Sequence, residues 1–149
     1  MGCNSLVQSP AIPNSVTNMS FCFSGCSFTQ APVIPNSVTN MEWCFFGCES
    51  LTQAPVIPDS VTNMADCFAR CTSLTQAPVI PSSVTKMNEC FMGCPVLKNV
   101  SIYTTNCTWY YCFYECSSFV SITVPNQAVK DDILAAGNVA INASNITIK

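Results

Sequence analysis

The sequence predicts an α/β repeat fold, a right-handed solenoid of short strands and short helices with a C-terminal cap. A segment that starts at Ala31 and reads A-P-V-I-P-N-S-V-T-N-M recurs almost unchanged from Ala54 and from Ala77, 23 residues apart each time. A cysteine pair of the form C-x-x-x-C accompanies the repeats, and the period stops after Val124. A unit this short cannot bury its apolar side alone, so successive repeats must share one continuous core.

The first half of each repeat indicates a short strand. Leu51, Ala54 and Val56 have the L-x-x-L-x-L spacing with which a leucine-rich repeat points three side chains inward. Prolines at positions 55 and 58 keep the strand short. The residues between the three apolar positions are expected to face solvent: Thr52, Gln53 and Pro55.

The second half of each repeat indicates a short helix. Apolar side chains recur there at i, i+3, i+4 and i+7, which is the pattern of one buried helix face: Met64, Cys67, Phe68 and Cys71. One unit would therefore consist of a strand, a turn and a short helix.

The repeats divide the chain into two predicted parts, a solenoid of about five 22–23-residue repeats over residues 1–124 and a cap over residues 125–149. Within the cap, Pro125 and Asn126 mark the start of a helix and Gly137 marks its end. The apolar face of that helix is formed by Val129, Ile133 and Ala136. Alternation then indicates two short strands, one with Val139 and Ile141 and one with Ile146 and Ile148.

The N-terminus begins in the middle of a repeat, because Met1–Cys3 matches the interior segment Met92–Cys94. Either this chain is a piece of a longer solenoid, or its N-terminal edge is uncapped and exposes backbone and core. A second chain docked on this edge would give a homo-oligomer, and repetition of that contact would give a head-to-tail filament.

The consensus of these repeats, S-V-T-N-M-x-x-C-F-x-G-C-x-S-L-T-Q-A-P-V-I-P, resembles the leucine-rich repeat surface proteins of the BspA type over residues 1 to about 125. The ending V-P-x-x-A-V-K, from Val124 to Lys130, resembles the terminal segment of that family. The resemblance implies proteins at the cell surface of host-associated bacteria and some protists, which bind host proteins, other cells or extracellular matrix. It implies no catalytic motif.

Cysteine usage departs from that family. The first cysteine of each pair stands where the family more often has Met or Ala: Cys22, Cys44, Cys67, Cys90 and Cys112. The twelve cysteines have three interpretations, which are small core residues, disulfides between adjacent repeats, and metal ligands. We favour buried, reduced thiols and expect neither a metal nor a cofactor, since no histidine is present to share the coordination.

Composition excludes several classes of function. Only 9% of the residues are charged, the net charge is −3, and the five basic residues do not cluster, so nucleic-acid binding is not expected. No apolar run reaches the ~18 residues of a membrane-spanning helix. The absence of histidine excludes Ser-His and Cys-His catalysis, and no carboxylate pair is placed for acid–base work. We therefore expect no enzyme; the rival class is a hydrolase acting on glycans or peptides.

The positions on either side of the C-F dipeptide vary between repeats. The residue before the cysteine is aromatic in some repeats and a carboxylate in others, Asp66 and Glu89. A core position would not accept both types, so we expect the side chains at both flanking positions to face outward. Exposed aromatic residues are typical of a protein contact surface, and the predicted binding residues are Trp43, Phe46, Tyr110, Tyr111 and Tyr114. The alternative is that flanking chain or the cap covers them.

The sequence thus predicts a non-enzymatic cell-surface or secreted module for binding or adhesion, with a protein as its partner. The alternative function is that of a self-assembling structural subunit, which stacks head to tail into an extracellular filament through the N-terminal edge.

Overall fold

Successive turns of the chain lie side by side and form a parallel β-sheet. The structure, a computed structural model, describes residues 6, 8–117, 120–138 and 141–149. Its strands follow one another in the sheet in chain order: β1 (Gln76–Ile80), β2 (Asn99–Ile102), β3 (Ser121–Val124) and β4 (Ile146–Ile148). All three strand pairs are parallel, as expected for a repeat whose turns stack in register.

The earlier repeats continue the same stacking through single parallel bridges. One row of bridges joins Gln30 to Gln53 and Gln53 to Gln76, where β1 begins. A second row lies on the other side of each turn and joins Asn18, Asn40, Asn63, Lys86 and Thr108. Two backbone ladders therefore hold each turn to the next, and the repeat fold predicted from the period is confirmed.

The core consists of the same side chains in every turn. Five phenylalanine rings form a stack in which neighbouring centroids are 5.4 to 5.8 Å apart: Phe23, Phe45, Phe68, Phe91 and Phe113. Methionines, cysteines and leucines at equivalent positions surround this stack and are fully buried in the central turns. Stacked aromatic rings contribute packing energy beyond the area they bury, so this stack is a main source of turn-to-turn stability.

The predicted short helix over residues 64–71 is wrong, although its buried face is right. Met64, Cys67, Phe68 and Cys71 are all fully buried, but residues 65–70 form consecutive turns. Two residues of this segment have left-handed backbone, Asp66 with φ 54° and Arg70 with φ 59°, and an α-helix cannot contain them. We call this segment of each repeat the arc.

Hydrogen bonding explains why the arc is not helical. The N–H of Phe68 donates to the carbonyl of Cys90 in the next turn at 2.9 Å, and every second N–H of the arc bonds in this way. The intervening N–H groups donate three residues back, as Cys67 does to Met64 at 3.1 Å. An α-helix would direct all its N–H groups to its own carbonyls, so the neighbouring turn would have no donors.

The strand half of the repeat also differs from its prediction, because two of its side chains point the opposite way. Val56 was expected to point inward and Pro55 outward, but Val56 is 87% exposed and Pro55 is buried. From Gln76 to Val79, β1 advances three residues while its partner β2 advances only two, so β1 has a bulge there. Gln76 and Val79 are the repeat equivalents of Gln53 and Val56. Such a bulge reverses the alternation of the side chains that follow it, and this turns the valine outward.

Residues 125–149 contain an α-helix, a 3₁₀ turn and β4. Helix α1 spans Gln127–Ala135, and the side chain of Asn126 caps it by accepting from the N–H of Val129. Val129 and Ile133 are buried, whereas Ala136 is only half-buried. A 3₁₀ turn over Ala143–Asn145 leads into β4.

The structure describes most of the two strands predicted near the C-terminus, but not the mid-repeat start predicted at the N-terminus. Of the two predicted strands, the second is β4, with Ile146 buried and Ile148 exposed. The first is not formed at Ile141, which is buried outside any strand, and its Val139 lies outside the described residues. The mid-repeat start at Met1–Cys3 also lies outside the described residues.

Candidate binding surfaces

The five predicted binding residues lie in two separate groups. Trp43 and Phe46 are in contact, with ring centroids 4.5 Å apart. Tyr111 contacts the other two tyrosines, at 4.2 Å from Tyr110 and 5.4 Å from Tyr114. We call the three tyrosines the tyrosine cluster. The turns that separate the groups carry no aromatic residue at the two flanking positions.

The first group is larger than the sequence analysis indicated. The ring of Phe21 stacks on Trp43, with centroids 5.7 Å apart and an interplanar angle of 13°. Phe21 is 60% exposed, and Trp43 and Phe46 are half-buried. We call Phe21, Trp43 and Phe46 the first aromatic cluster. Phe21 occupies the same position of the repeat as Trp43, one turn earlier, and this equivalence could have identified it from the sequence.

A cation borders the first aromatic cluster. The guanidinium carbon of Arg70 lies 5.8 Å from the centroid of the Phe46 ring, within the range of a cation–π contact. Arg70 is exposed and stands where most repeats have glycine. Aromatic rings beside an arginine are the residue types that carry most binding energy at protein interfaces.

The first of the two turns between the clusters does not expose its flanking positions, contrary to expectation. Ala69 is fully buried, and Asp66 is only 8% exposed. The Asp66 oxygen Oδ1 has no hydrogen-bond partner among the described residues. Burial raises the pKa of the Asp66 carboxyl to about 6, with smaller contributions from Glu89 and Glu42. The aromatic residues therefore do not form one continuous surface.

The tyrosine cluster is partly covered by residues that follow the repeats. The backbone N–H of Tyr111 donates to the carbonyl of Ala136 at 2.9 Å. A Cβ placed on Gly137 would lie 2.6 Å from Cε1 of Tyr111, so the glycine backbone packs directly against this ring. Tyr110 is exposed, and Tyr114 is half-buried.

A third exposed surface was missed by the sequence analysis. Three valines at one repeat position and a tyrosine form a row on the strand half, with exposed fractions of 87% for Val33, 87% for Val56, 58% for Val79 and 52% for Tyr103. We call these four residues the valine row. A cavity of about 580 Å³ lies beside Val56, Val79 and Tyr103. The valines were assigned to the core because the bulge at Val79 could not be recognised from the L-x-x-L-x-L spacing.

The cysteines have a structural role in the arc. The thiol of Cys71 donates to the carbonyl of Phe45 in the preceding turn, with Sγ 3.1 Å from the oxygen. Equivalent bonds of 3.0 to 3.1 Å are made by Cys48, Cys94 and Cys116. Burial raises the pKa of Cys48 and Cys116 to about 12, so these thiols keep the proton that they donate.

Neither disulfide nor metal chemistry is set up around these thiols. No disulfide joins the cysteines that the structure describes. Within the same part of the chain, no group of three or more His, Cys, Asp or Glu side chains is arranged to hold a metal ion. As expected, Cys44, Cys67 and Cys90 are fully buried.

Comparison with known families identifies the chain. The family described as BspA type leucine rich repeat region matches residues 1–109 and 64–135, in six copies. The chain therefore belongs to the BspA-type leucine-rich repeat family. This family is typically surface-associated, is generally non-enzymatic and points to protein binding. None of the described helices is long and apolar enough to cross a membrane. No curated protein and no solved structure matches the chain significantly.

Proposed function

We propose that this chain is a non-enzymatic adhesion or binding module, displayed at a cell surface or secreted, which contacts a protein partner through the first aromatic cluster. The observation that carries this proposal is the exposed stack of Phe21 on Trp43, with Phe46 and Arg70 beside it. Aromatic and arginine side chains dominate contact energy at interfaces, and a chain with 9% charged residues has few other anchors.

The scaffold of the proposed module is a right-handed solenoid over residues 1–124 with residues 125–149 as its cap. Hydrogen bonds support the role of a cap. In each central turn, arc N–H groups donate to carbonyls of the next turn. In the last turn, Tyr111 donates to the carbonyl of Ala136, and Phe113 donates to the side-chain oxygen of Asn138 at 2.7 Å. The C-terminal segment thus supplies acceptors that a further repeat would supply elsewhere.

The tyrosine cluster has a different role in the proposed module. Tyr110 and Tyr114 offer a second, smaller contact area, and Tyr111 holds the cap. This division follows from the hydrogen bond of Tyr111 to Ala136 and its contact with Gly137.

A binding assay with matched variants tests the proposal. The probes are immobilised collagen, laminin and fibronectin together with whole epithelial cells. The double variant Trp43→Ser/Phe46→Ser should bind at least about tenfold more weakly than the unaltered chain. The control Thr62→Ala/Thr85→Ala changes two other exposed residues and should bind normally. Equal binding by all three proteins would refute the proposed site, and turnover of polysaccharides or peptides would refute the non-enzymatic role.

Head-to-tail assembly is the second candidate, and one observation favours it. The carbonyls of Asn40 and Cys44 accept hydrogen bonds from the first turn. The equivalent carbonyls of that first turn, at Asn18 and Cys22, accept no backbone N–H from any described residue. Further turns or a second chain would satisfy them. Electron micrographs of the purified chain distinguish filaments from single particles.

A further inference from the structure

We infer that the valine row is a self-association surface, on which the row of a second copy of this chain docks. The row differs from scattered surface valines, because Val33, Val56, Val79 and Tyr103 occupy neighbouring turns and are all more than half exposed. A contiguous apolar surface of this kind on a soluble domain marks an interaction site.

The ridges and troughs along the valine row recur once in every turn. Cavities of about 400, 410 and 580 Å³ lie along it, and each is lined by prolines from two neighbouring turns and by at least one valine of the row. Turns that pair as parallel strands are about 4.8 Å apart, so ridges and troughs alternate at that spacing. A second copy has the same spacing and fits every trough at once, whereas a non-periodic partner matches only locally.

Charge and backbone pairing both favour this occupant. Among the described residues, Asp59 is the only charged one that lines the three cavities, so two rows can face each other with little like-charge repulsion despite the net charge of −3. Gln53 pairs with Gln76 at the start of this segment, and prolines, which have no N–H to donate, border the row on both turns. An added peptide strand would therefore find few backbone donors there, and the contact is expected to come from side-chain packing.

The exposed area suits a weak dimer. The exposed fractions of these four residues correspond to roughly 500 Å² of accessible surface per chain, at the upper end of the patches found on monomers. Two facing rows would bury roughly 1,000 Å² in total, near the lower limit of specific interfaces. We therefore expect a reversible dimer that forms at micromolar to sub-millimolar concentration.

Sedimentation equilibrium of the full chain, from about 1 to about 200 µM, tests the inference. The unaltered chain should show a concentration-dependent dimer. Val33→Lys/Val56→Lys places four charges in the paired rows and should weaken dimerisation at least about tenfold. The control Thr39→Lys/Thr62→Lys adds the same charges on the same turns, at exposed positions outside the row, and should dimerise normally.

Two results would overturn the inference. One is an unaltered chain that stays monomeric at about 200 µM, in which case another protein covers the row. The other is a dimer that persists in Val33→Lys/Val56→Lys, which would place the contact elsewhere. If the lysine variant does not fold, Val33→Thr/Val56→Thr keeps the side-chain shape and must weaken the dimer relative to Thr39→Ser/Thr62→Ser.

Discussion

The first aromatic cluster and the tyrosine cluster use the same two positions of the repeat, but they differ in what lies next to them. Phe21 and Trp43 stack on each other, and Phe21 is exposed whereas Trp43 is half-buried. Tyr111, at the position of Trp43, contacts Gly137 and bonds to Ala136. The same position therefore presents a ring to solvent in one turn and receives the C-terminal segment in another.

This difference shows that a variable position in a repeat takes its role from the neighbouring turns. Asp66 illustrates the point, because it is buried between turns that carry Trp43 and Glu89 at the same position. Its left-handed backbone is shared by all five residues of this position, with φ between 50° and 60°. The backbone is thus constant, and only the side chain and its surroundings change.

The largest expected effect is on stability, at the contact between the tyrosine cluster and Gly137. Gly137→Ala should lower the free energy of unfolding by about 2–4 kcal/mol, because the new Cβ meets the Tyr111 ring and Gly137 has φ +77°. Urea unfolding measures the loss. In a Tyr111→Ala background the clash is absent, so Gly137→Ala should cost only about 1 kcal/mol there. An equal cost in both backgrounds would show that Tyr111 does not receive the C-terminal segment.

A pH-dependent effect is expected at Asp66, in the first of the two turns between the clusters. The pKa of Asp66 is raised to about 6 by burial, so the folded state holds this proton more tightly than the unfolded state. Stability should therefore fall as pH rises from about 4 to about 6 and level off above that. Asp66→Asn should flatten the fall, and the exposed control Asp59→Asn should not. Urea midpoints at pH 5 and 7.5 measure both, and an unchanged slope in Asp66→Asn would contradict the assignment.

The smallest stability effect concerns the second left-handed position of the arc. Glu115→Gly should raise the free energy of unfolding by about 1 kcal/mol, because Glu115 has φ 59° where three of the other four repeats have glycine. Gly47→Ala is the matched reverse change, since no atom lies within 4 Å of the added Cβ and only the backbone is affected. It should lower stability by about 1 kcal/mol. Thermal unfolding of both variants checks the pair, and shifts of the same sign would be inconsistent with backbone strain.

The period and the buried side chains could be predicted from sequence because identical spacing requires identical surroundings in each turn. The helix over residues 64–71 could not be excluded, since the arc and a helix bury the same four positions. They differ in where alternate N–H groups bond, which depends on the next turn. The outward valine depends likewise on the bulge at Val79.

The arrangement of the exposed aromatic residues was only partly predictable. Trp43 was predicted to face outward because aromatic residues and carboxylates share its position, and Phe46 was predicted to do so because it flanks the same C-F dipeptide. Both arguments are local. The cover over Tyr111 comes from Gly137, which lies outside the repeat and has no counterpart in it. No periodic argument could have separated the two clusters for this reason.

The central claim, that the first aromatic cluster contacts the partner, is tested most directly by the fluorescence of Trp43. The chain has two tryptophans, and Trp109 is only 4% exposed, so Trp109→Phe leaves Trp43 as the single reporter. Acrylamide quenching is then measured with and without whichever matrix protein or cell surface binds the chain. Quenching of Trp43 should fall severalfold on binding, because the partner covers the ring. Unchanged quenching with the partner bound would show that the contact lies on another surface.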